Sequence, residues 1–111
     1  MNGWIGVDLD GTLAYYTGWI GPEHIGDPIP EMVRRVTAWI AKDIEVRIFT
    51  ARASVPEQVP SIYEWSLKHI GIVLPVTNVK DFGMVELWDD RCVRVIPNTG
   101  RACCGLQGES T

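Results

Sequence analysis

Two carboxylates lie close together at the end of an apolar stretch near the start of this 111-residue sequence. The stretch runs from Trp4 to Leu13 (WIGVDLDGTL), and Asp8 and Asp10 interrupt it just before a Gly-Thr turn. A β-strand alternates its side chains with a period of two, so both acids would point the same way at its carboxyl end. Two ionised acids in a water-poor crevice are unfavourable unless a cation or hydrogen-bond donors balance them, and hard oxygen ligands favour Mg²⁺. The spacing therefore predicts a magnesium site that includes Asp8 and Asp10.

A calcium-binding loop is an alternative, because D-x-D-G also opens an EF-hand. Such a loop would need an acid or amide at Thr12, glycine at Leu13 and glutamate at Trp19, and none of these is present. A surface turn with two acids by chance is a second alternative. The apolar residues that precede Asp8 argue against it.

Length and composition indicate one domain and limit its partners. A chain of 111 residues with 46% hydrophobic residues can bury a single core. The net charge of −4 gives no general basic field for nucleic acid, although a local basic patch stays open. The sequence contains neither an apolar run of membrane-spanning length nor a secretion-type N-terminus, so we expect a cytoplasmic protein with no membrane partner. The three cysteines include no C-x-x-C pair, so we expect neither disulfides nor structural zinc.

The elements that must position the acids follow from hydrophobic periodicity and from helix start and stop signals. Pro30 and Glu31 suit the first turn of a helix, and Gly71 suits the end of a second one. The predicted elements after the first strand are a helix from Pro30 to about Lys42, a strand over Ile44–Thr50, a helix over roughly Glu57–His69, a strand near Ile72–Val76 and a strand over Met84–Trp88. The predicted buried faces are Met32, Val33, Val36, Trp39 and Ile40 on the first helix and Val59, Ile62, Tyr63, Leu67 and Ile70 on the second.

The segment between the first strand and the first helix is rich in glycine, proline and aromatic residues, which predicts a turn followed by a small hairpin or loop. Its Tyr15, Tyr16 and Trp19 would either form a binding rim or fold back onto the core, and the sequence leaves both open. His24 has no partner motif, which favours a solvated histidine over a catalytic base.

The run Asp8-Leu9-Asp10-Gly11-Thr12 resembles the D-x-D-G-T signature of the haloacid dehalogenase (HAD) superfamily, most of whose members are phosphatases. Further motifs of the family follow in the same order: Thr50 at the end of the second strand, Lys80 before the fourth, and Asp89-Asp90 directly after it. The resemblance covers roughly Trp4 to Asn98. Within the superfamily, the chain most resembles minimal, capless members, among them the phosphatase domains of phage enzymes that heal polynucleotide ends.

The resemblance implies a Rossmann-like α/β fold, with a mostly parallel sheet of four or five strands between helices. We expect one catalytic domain over residues 1–98. The polar, Gly-rich residues 99–111 predict a flexible C-terminal tail. Only Asp89 to Arg91 separate the fourth strand from the run Cys92–Ile96, so a fifth strand would be antiparallel or lie outside the sheet.

The resemblance also implies a mechanism. Asp8 would attack a phosphomonoester to form an aspartyl-phosphate, while Asp10 would act first as a general acid and then as a base. Thr50 and Lys80 would hold the phosphoryl oxygens. The magnesium ligands would be the side chains of Asp8 and Asp89 and the backbone carbonyl of Asp10, with Asp90 in support.

The substrate is the part that the sequence leaves open. Arg52, Tyr16 and Trp19 are candidate substrate-binding residues, although an arginine after a strand is commonly a surface residue. Without a cap, binding energy must come from outside the phosphate pocket, and a nucleotide or nucleic-acid end would supply it by stacking on aromatic side chains. Another phosphorylated small molecule is the other substrate class.

Other activities compete with a phosphatase. A dehalogenase would not need the proton donor Asp10, and a phosphomutase usually relies on a cap. The alternative of a different class is a non-catalytic binding or scaffold domain with the same fold. The oligomeric state is open, a homo-oligomer included.

Overall fold

Four parallel strands form the centre of the protein, whose computed structural model describes residues 2–103. The strands are β1 (Trp4–Val7), β2 (Glu45–Phe49), β3 (Val76–Thr77) and β4 (Met84–Trp88). They lie in the order β3-β2-β1-β4, and all three pairings are parallel. The carboxyl ends of the strands therefore meet at one edge of the sheet. Chain segments that follow the strands are brought together there.

Two helices connect the first three strands. α1 (Pro30–Ala41) lies between β1 and β2, while α2 (Val59–Ile70) lies between β2 and β3 and follows two short 3₁₀ turns, Ala51–Ser54 and Pro56–Gln58. Gly71 ends α2 with φ 99°, a left-handed conformation that glycine adopts without strain. The predicted helices are confirmed with bounds within two residues. Neither helix in this described range has the length and apolar character needed to cross a bilayer.

Both helices pack on the same face of the sheet. The two crossovers move in the same direction along the sheet, which places their helices together. The prediction of a sheet between helices is therefore wrong for the described residues, and the link from β3 to β4, residues 78–83, is too short to add a helix on the other face. The core unites alternate residues of β1 and β2 with one side of each helix: Ile5, Val7, Val46, Ile48, Met32, Val36, Ile62 and Trp65.

The buried side of α2 differs from the predicted one. Tyr63 and Leu67 are exposed, whereas Trp65 and Ser66 are buried. The Trp65 indole donates a hydrogen bond of 2.8 Å to the backbone oxygen of Gly26. The Ser66 hydroxyl donates to the Ile72 carbonyl and accepts from the Leu74 amide. Contacts with the loop before α1 and with the chain after α2 thus decide which side of the helix faces inward.

The last third of the chain contributes less to the sheet than its apolar runs suggest. β3 contains two residues rather than the predicted Ile72–Val76. The predicted fifth strand lies outside the sheet, where Val95 forms an isolated antiparallel bridge with Ala102. Residues 99–103 of the predicted tail thus turn back on residues 94–96. The rest of that prediction, including Cys104, lies outside the described residues.

Candidate active site

Three carboxylates meet at the carboxyl edge of the sheet. Asp8 follows β1, and Asp89 and Asp90 follow the neighbouring β4. A backbone hydrogen bond of 2.9 Å from the Asp8 amide to the Trp88 carbonyl joins the two strand ends. One carboxylate oxygen from each acid lies within 4.8 Å of the others. This donor set of hard oxygens suits a divalent cation such as Mg²⁺.

The charges in this acidic cluster (Asp8, Asp89 and Asp90) repel one another. Partial burial raises the pKa of Asp8 from 3.8 to about 7, and a hydrogen bond with Asp90 and the nearby charges of Asp89, Asp90 and Asp10 add to the shift. A cation among the three acids would offset this repulsion. The electrostatics of the described residues therefore fit a metal site.

The Gly-Thr turn after Asp10 connects the two acidic segments. The Thr12 hydroxyl accepts a hydrogen bond of 3.0 Å from the Asp90 amide. Its single proton can serve either Asp8 Oδ2 at 3.4 Å or Asp90 Oδ1 at 3.3 Å. Gly11 has φ 93°, and a Cβ at this position would collide with the Asp90 carboxylate. From the sequence, no separate role was predicted for Thr12. Its position in the D-x-D-G-T run was the one feature that could have indicated a role at the site.

Asp10 is held apart from the acidic cluster by Arg52. The guanidinium group donates from Nε to Asp10 Oδ2 at 2.9 Å and from Nη2 to Asp10 Oδ1 at 3.0 Å. This two-point geometry engages both side-chain oxygens of Asp10. Of the four predicted metal-binding acids, the structure brings together the side chains of three. For Asp10, the backbone carbonyl remains the predicted ligand.

The two predicted phosphate-binding residues are placed differently. Thr50 is buried and lines a cavity at the carboxyl edge of the sheet. Its Oγ1 accepts a hydrogen bond from the Arg52 amide at 3.2 Å. Lys80 is exposed and does not line this cavity, whereas Asn78 does. The link from β3 to β4 leaves the carboxyl edge after Thr77 and returns to the amino end of β4, so only its first residues stay near the site.

A cavity of about 870 Å³ opens beside the acidic cluster. One side is formed by Tyr16 and Trp19, which belong to the flap, the loop of residues 15–28. The side chains of Tyr16 and Trp19 are 47% and 56% exposed, so they form a rim and are not part of the core. Tyr15 lines a smaller neighbouring cavity, and His24 is exposed. The volume is in the range of small-molecule binding sites.

Gln58 and Arg91 also line the cavity. Arg91 follows the Asp89-Asp90 pair and was expected to add local charge at the site, whereas the sequence contains no signal that singles out Gln58. Gln58 Oε1 is buried and has no hydrogen-bond partner among the described residues. A buried carbonyl oxygen without a donor is unfavourable by roughly 1–3 kcal/mol.

Comparisons of the chain with protein-family models, curated proteins and solved structures found no match. The chemistry of the site is therefore inferred from its own residues.

Proposed function

We propose that the protein is a Mg²⁺-dependent phosphomonoester hydrolase and a minimal, capless member of the HAD superfamily. The observation that carries the proposal is the meeting of Asp8, Asp89 and Asp90 at two adjacent strand ends beside an open cavity. Repulsion among these acids is unfavourable for stability, which favours a functional origin. The all-parallel sheet with two helices is compatible with a Rossmann-like domain of this superfamily.

Asp8 and Asp89 would hold the metal, with Asp90 in support. Bound Mg²⁺ would neutralise part of the negative charge on the phosphoryl group during its transfer. The Thr12 hydroxyl, within hydrogen-bond distance of Asp8 and Asp90, would keep the two acidic segments in register.

Asp8 would act as the nucleophile. One of its carboxylate oxygens attacks phosphorus and the ester P–O bond breaks, while Asp10, which must be protonated at the start of this step, gives that proton to the leaving oxygen. In the second half of the reaction, Asp10 takes a proton from the water that attacks the aspartyl-phosphate. This step releases inorganic phosphate and regenerates the carboxylate of Asp8.

Thr50 would hold a phosphoryl oxygen, since its hydroxyl lies at the wall of the cavity next to the 3₁₀ turn. Lys80 would have to move toward the cavity to supply the second contact. Arg91 already lines the cavity and is the alternative cation for this role. The phosphoryl group has charge on several oxygens, so one such cation would stabilise its transfer.

The proposed substrate class is a nucleotide or a nucleic-acid end. Trp19 and Tyr16 are partly exposed at one side of the cavity, and stacking of a base on an aromatic ring is worth about 1–3 kcal/mol. The cavity is also lined by Gln58. A small sugar phosphate has no base to stack on the aromatic rings. A non-catalytic binding domain is the competing function.

The first experiment compares wild type and Asp8→Asn on a panel of phosphomonoesters, with and without Mg²⁺. We expect the substitution to lower kcat/KM at least about 10⁴-fold, because loss of a nucleophile commonly has effects of this size. Asp81→Asn, the same change at the opposite end of β4, is the matched control and should keep its activity. Full activity of Asp8→Asn would disprove the mechanism. Mg²⁺ binding by wild type without turnover of any ester would support the binding domain.

The second experiment compares nucleoside monophosphates and short 3′-phosphorylated oligonucleotides with glycerol phosphate. We expect higher kcat/KM for the nucleotides, and we expect Trp19→Ala to reduce this preference by about 5- to 150-fold, which corresponds to the stacking energy. Tyr63→Ala removes an exposed aromatic side chain on α2 and serves as the control. A Trp19→Ala variant with an unchanged preference would show that the rim does not recognise the base.

A further inference from the structure

Arg52 is a charged residue in an unusually buried position. Its side chain is 6% exposed, and it belongs to the 3₁₀ turn that follows β2. Its backbone amide is held by Thr50 Oγ1, which fixes the start of this turn. A buried guanidinium group requires an anionic partner and acceptors for its remaining N–H groups, because its desolvation is otherwise unfavourable.

Arg52 meets this requirement with two different parts of the molecule. Asp10 accepts two of its hydrogen bonds. The backbone carbonyls of Pro22 and His24, both in the flap, accept two more, from Nη1 at 3.2 Å and from Nη2 at 2.9 Å. The guanidinium carbon also lies 5.0 Å from the centre of the Trp19 ring. A single side chain thus contacts the proposed proton donor and three residues of the flap.

The rest of the flap is tied down mainly at its base. Ala14 pairs with Pro28, the Tyr15 amide donates to the Asp27 carbonyl, and Trp65 donates to Gly26. Within the described chain, the hydrogen bonds that join residues 16–24 to the body of the protein come from Arg52. Arg52 therefore supplies the hydrogen bonds that join this part of the cavity wall to the body of the protein.

We infer that Arg52 is a positioning residue that orients Asp10 for proton transfer and, through the same guanidinium group, holds the flap against the cavity. The part that concerns Asp10 rests on the proposed function, whereas the part that concerns the flap does not. Two-point contact with Asp10 and simultaneous contact with two carbonyls require the planar fork of arginine. Lysine has a single nitrogen and cannot reproduce these contacts.

The flap is tested by proteolysis of the full chain with a glutamate-specific protease, with cleavage after the exposed Glu23 followed by mass spectrometry. We expect Arg52→Gln and Arg52→Lys to increase the rate of this cleavage about tenfold or more, while cleavage at Glu57 and Glu64 stays as in wild type. Arg91→Gln removes the same charge from the same cavity without loss of a flap contact. The protease should therefore cleave this variant after Glu23 at the rate of wild type. Equal cleavage in all four proteins would overturn the flap contact. Thermal melts show whether each variant is folded. If Arg52→Gln is unfolded, Arg52→Lys, which retains the charge, still tests the flap contact.

The action through Asp10 is tested by the dependence of the rate on the leaving group. We expect Arg52→Gln to lower kcat/KM for an alkyl phosphate at least tenfold more than for p-nitrophenyl phosphate, whose leaving group needs no proton. In an Asp10→Asn background, Arg52→Gln should add no further discrimination between the two esters. A rise in KM for both esters that persists in this background would instead show that Arg52 binds the phosphoryl group directly, and would overturn the inference. If wild type hydrolysed neither ester, the proposed function would fail while the cleavage result for the flap would still stand.

Discussion

The two ends of the parallel sheet use aspartate in opposite ways. At the amino end, Asp81 Oδ1 accepts hydrogen bonds from the Trp4 indole at 2.9 Å and from the Gly83 amide at 2.8 Å. The Trp4 hydrogen bond, assisted by the Gly83 amide and Arg47, lowers the pKa of Asp81. At the carboxyl end, burial and neighbouring acids raise the pKa of Asp8 to about 7. One end surrounds an acid with donors, and the other surrounds it with acids.

This difference separates a stabilising arrangement from one that fits a ligand site. Trp4 is buried, and Arg47 lies over its ring at 4.3 Å from the ring centre, so the amino end joins β1, β2 and the start of β4 in one set of favourable contacts. Among the described residues, the acidic cluster has only neutral donors, the Thr12 hydroxyl and the Arg91 amide, because the buried guanidinium group of Arg52 serves Asp10 instead. Groups held in unfavourable surroundings commonly mark sites where a ligand supplies the missing interaction.

After the loss expected for Asp8→Asn, the largest expected effect concerns Asp10 at the carboxyl end. Asp10→Asn should lower kcat/KM for alkyl phosphates by about 10²- to 10⁴-fold, the usual contribution of a general acid. Activated aryl esters should be affected far less, because their leaving groups do not need a proton. Steady-state kinetics on a series of leaving groups measures the difference. Equal losses across the series would remove Asp10 from this role.

The next effect concerns the two acids that follow β4. Asp89→Asn should raise the Mg²⁺ concentration for half-maximal activity by about 10- to 100-fold, a range typical of perturbed metal sites. Ca²⁺ should compete with Mg²⁺ without supporting turnover, because its larger and looser shell misplaces the nucleophile. Titration of activity with each ion tests both points. If Asp90→Asn were the more damaging change, the two acids would exchange their assigned roles.

Gly11 gives a test of how closely the two acidic segments must approach. Gly11→Ala should destabilise the protein by about 1–2 kcal/mol through its left-handed backbone and should also weaken Mg²⁺ activation, because the new Cβ displaces Asp90. Gly71→Ala is the matched control, since Gly71 has φ 99° but no atom within 4 Å of the position that a Cβ would take. Gly71→Ala should lose stability but keep its activation by Mg²⁺. Equal Mg²⁺ activation of both variants would mean that the Asp90 position is not critical.

The pH dependence of stability should have opposite signs at the two ends. Asp8 has a higher pKa in the folded protein than its ordinary value of 3.8, so the folded state binds more protons between these values. Its contribution therefore favours folding below about pH 4 and is lost as the pH rises through about 7. Melting without divalent ions should show this loss, and Asp8→Asn should remove it. Mg²⁺ at 100 times its Kd should add about 2.7 kcal/mol at pH 8.

The smallest expected effect is that of Asp81, which lies at the surface. Its lowered pKa means that its contribution to stability is present above its ordinary pKa and is lost as the pH falls through the folded value. Asp81→Asn should therefore lower the melting temperature at pH 7 slightly and leave it nearly unchanged in strong acid, with activity retained. A larger loss of stability in acid than at pH 7 would contradict this account of the amino end.

Local patterns were sufficient for most elements of the fold. Hydrophobic periodicity, the proline at the start of α1 and Gly71 after α2 predicted both helices, and apolar runs predicted β1, β2 and β4. These signals work because they reflect interactions between residues a few positions apart. They also located Asp8, Asp89 and Asp90 at strand ends, and a parallel sheet brings such ends to one edge.

Contacts between residues far apart in the sequence were decided only by the tertiary structure. The pair Asp10–Arg52 spans 42 positions, and the exclusion of Lys80 from the cavity depends on the path of the link that returns to β4. The placement of both helices on one face and the partner of Trp65 likewise follow from how the elements pack. The sequence by itself thus determined which candidate residues lie at which strand ends. The tertiary structure decided which of them meet, because side-chain partners at this distance depend on strand order, crossover direction and link length rather than on local spacing.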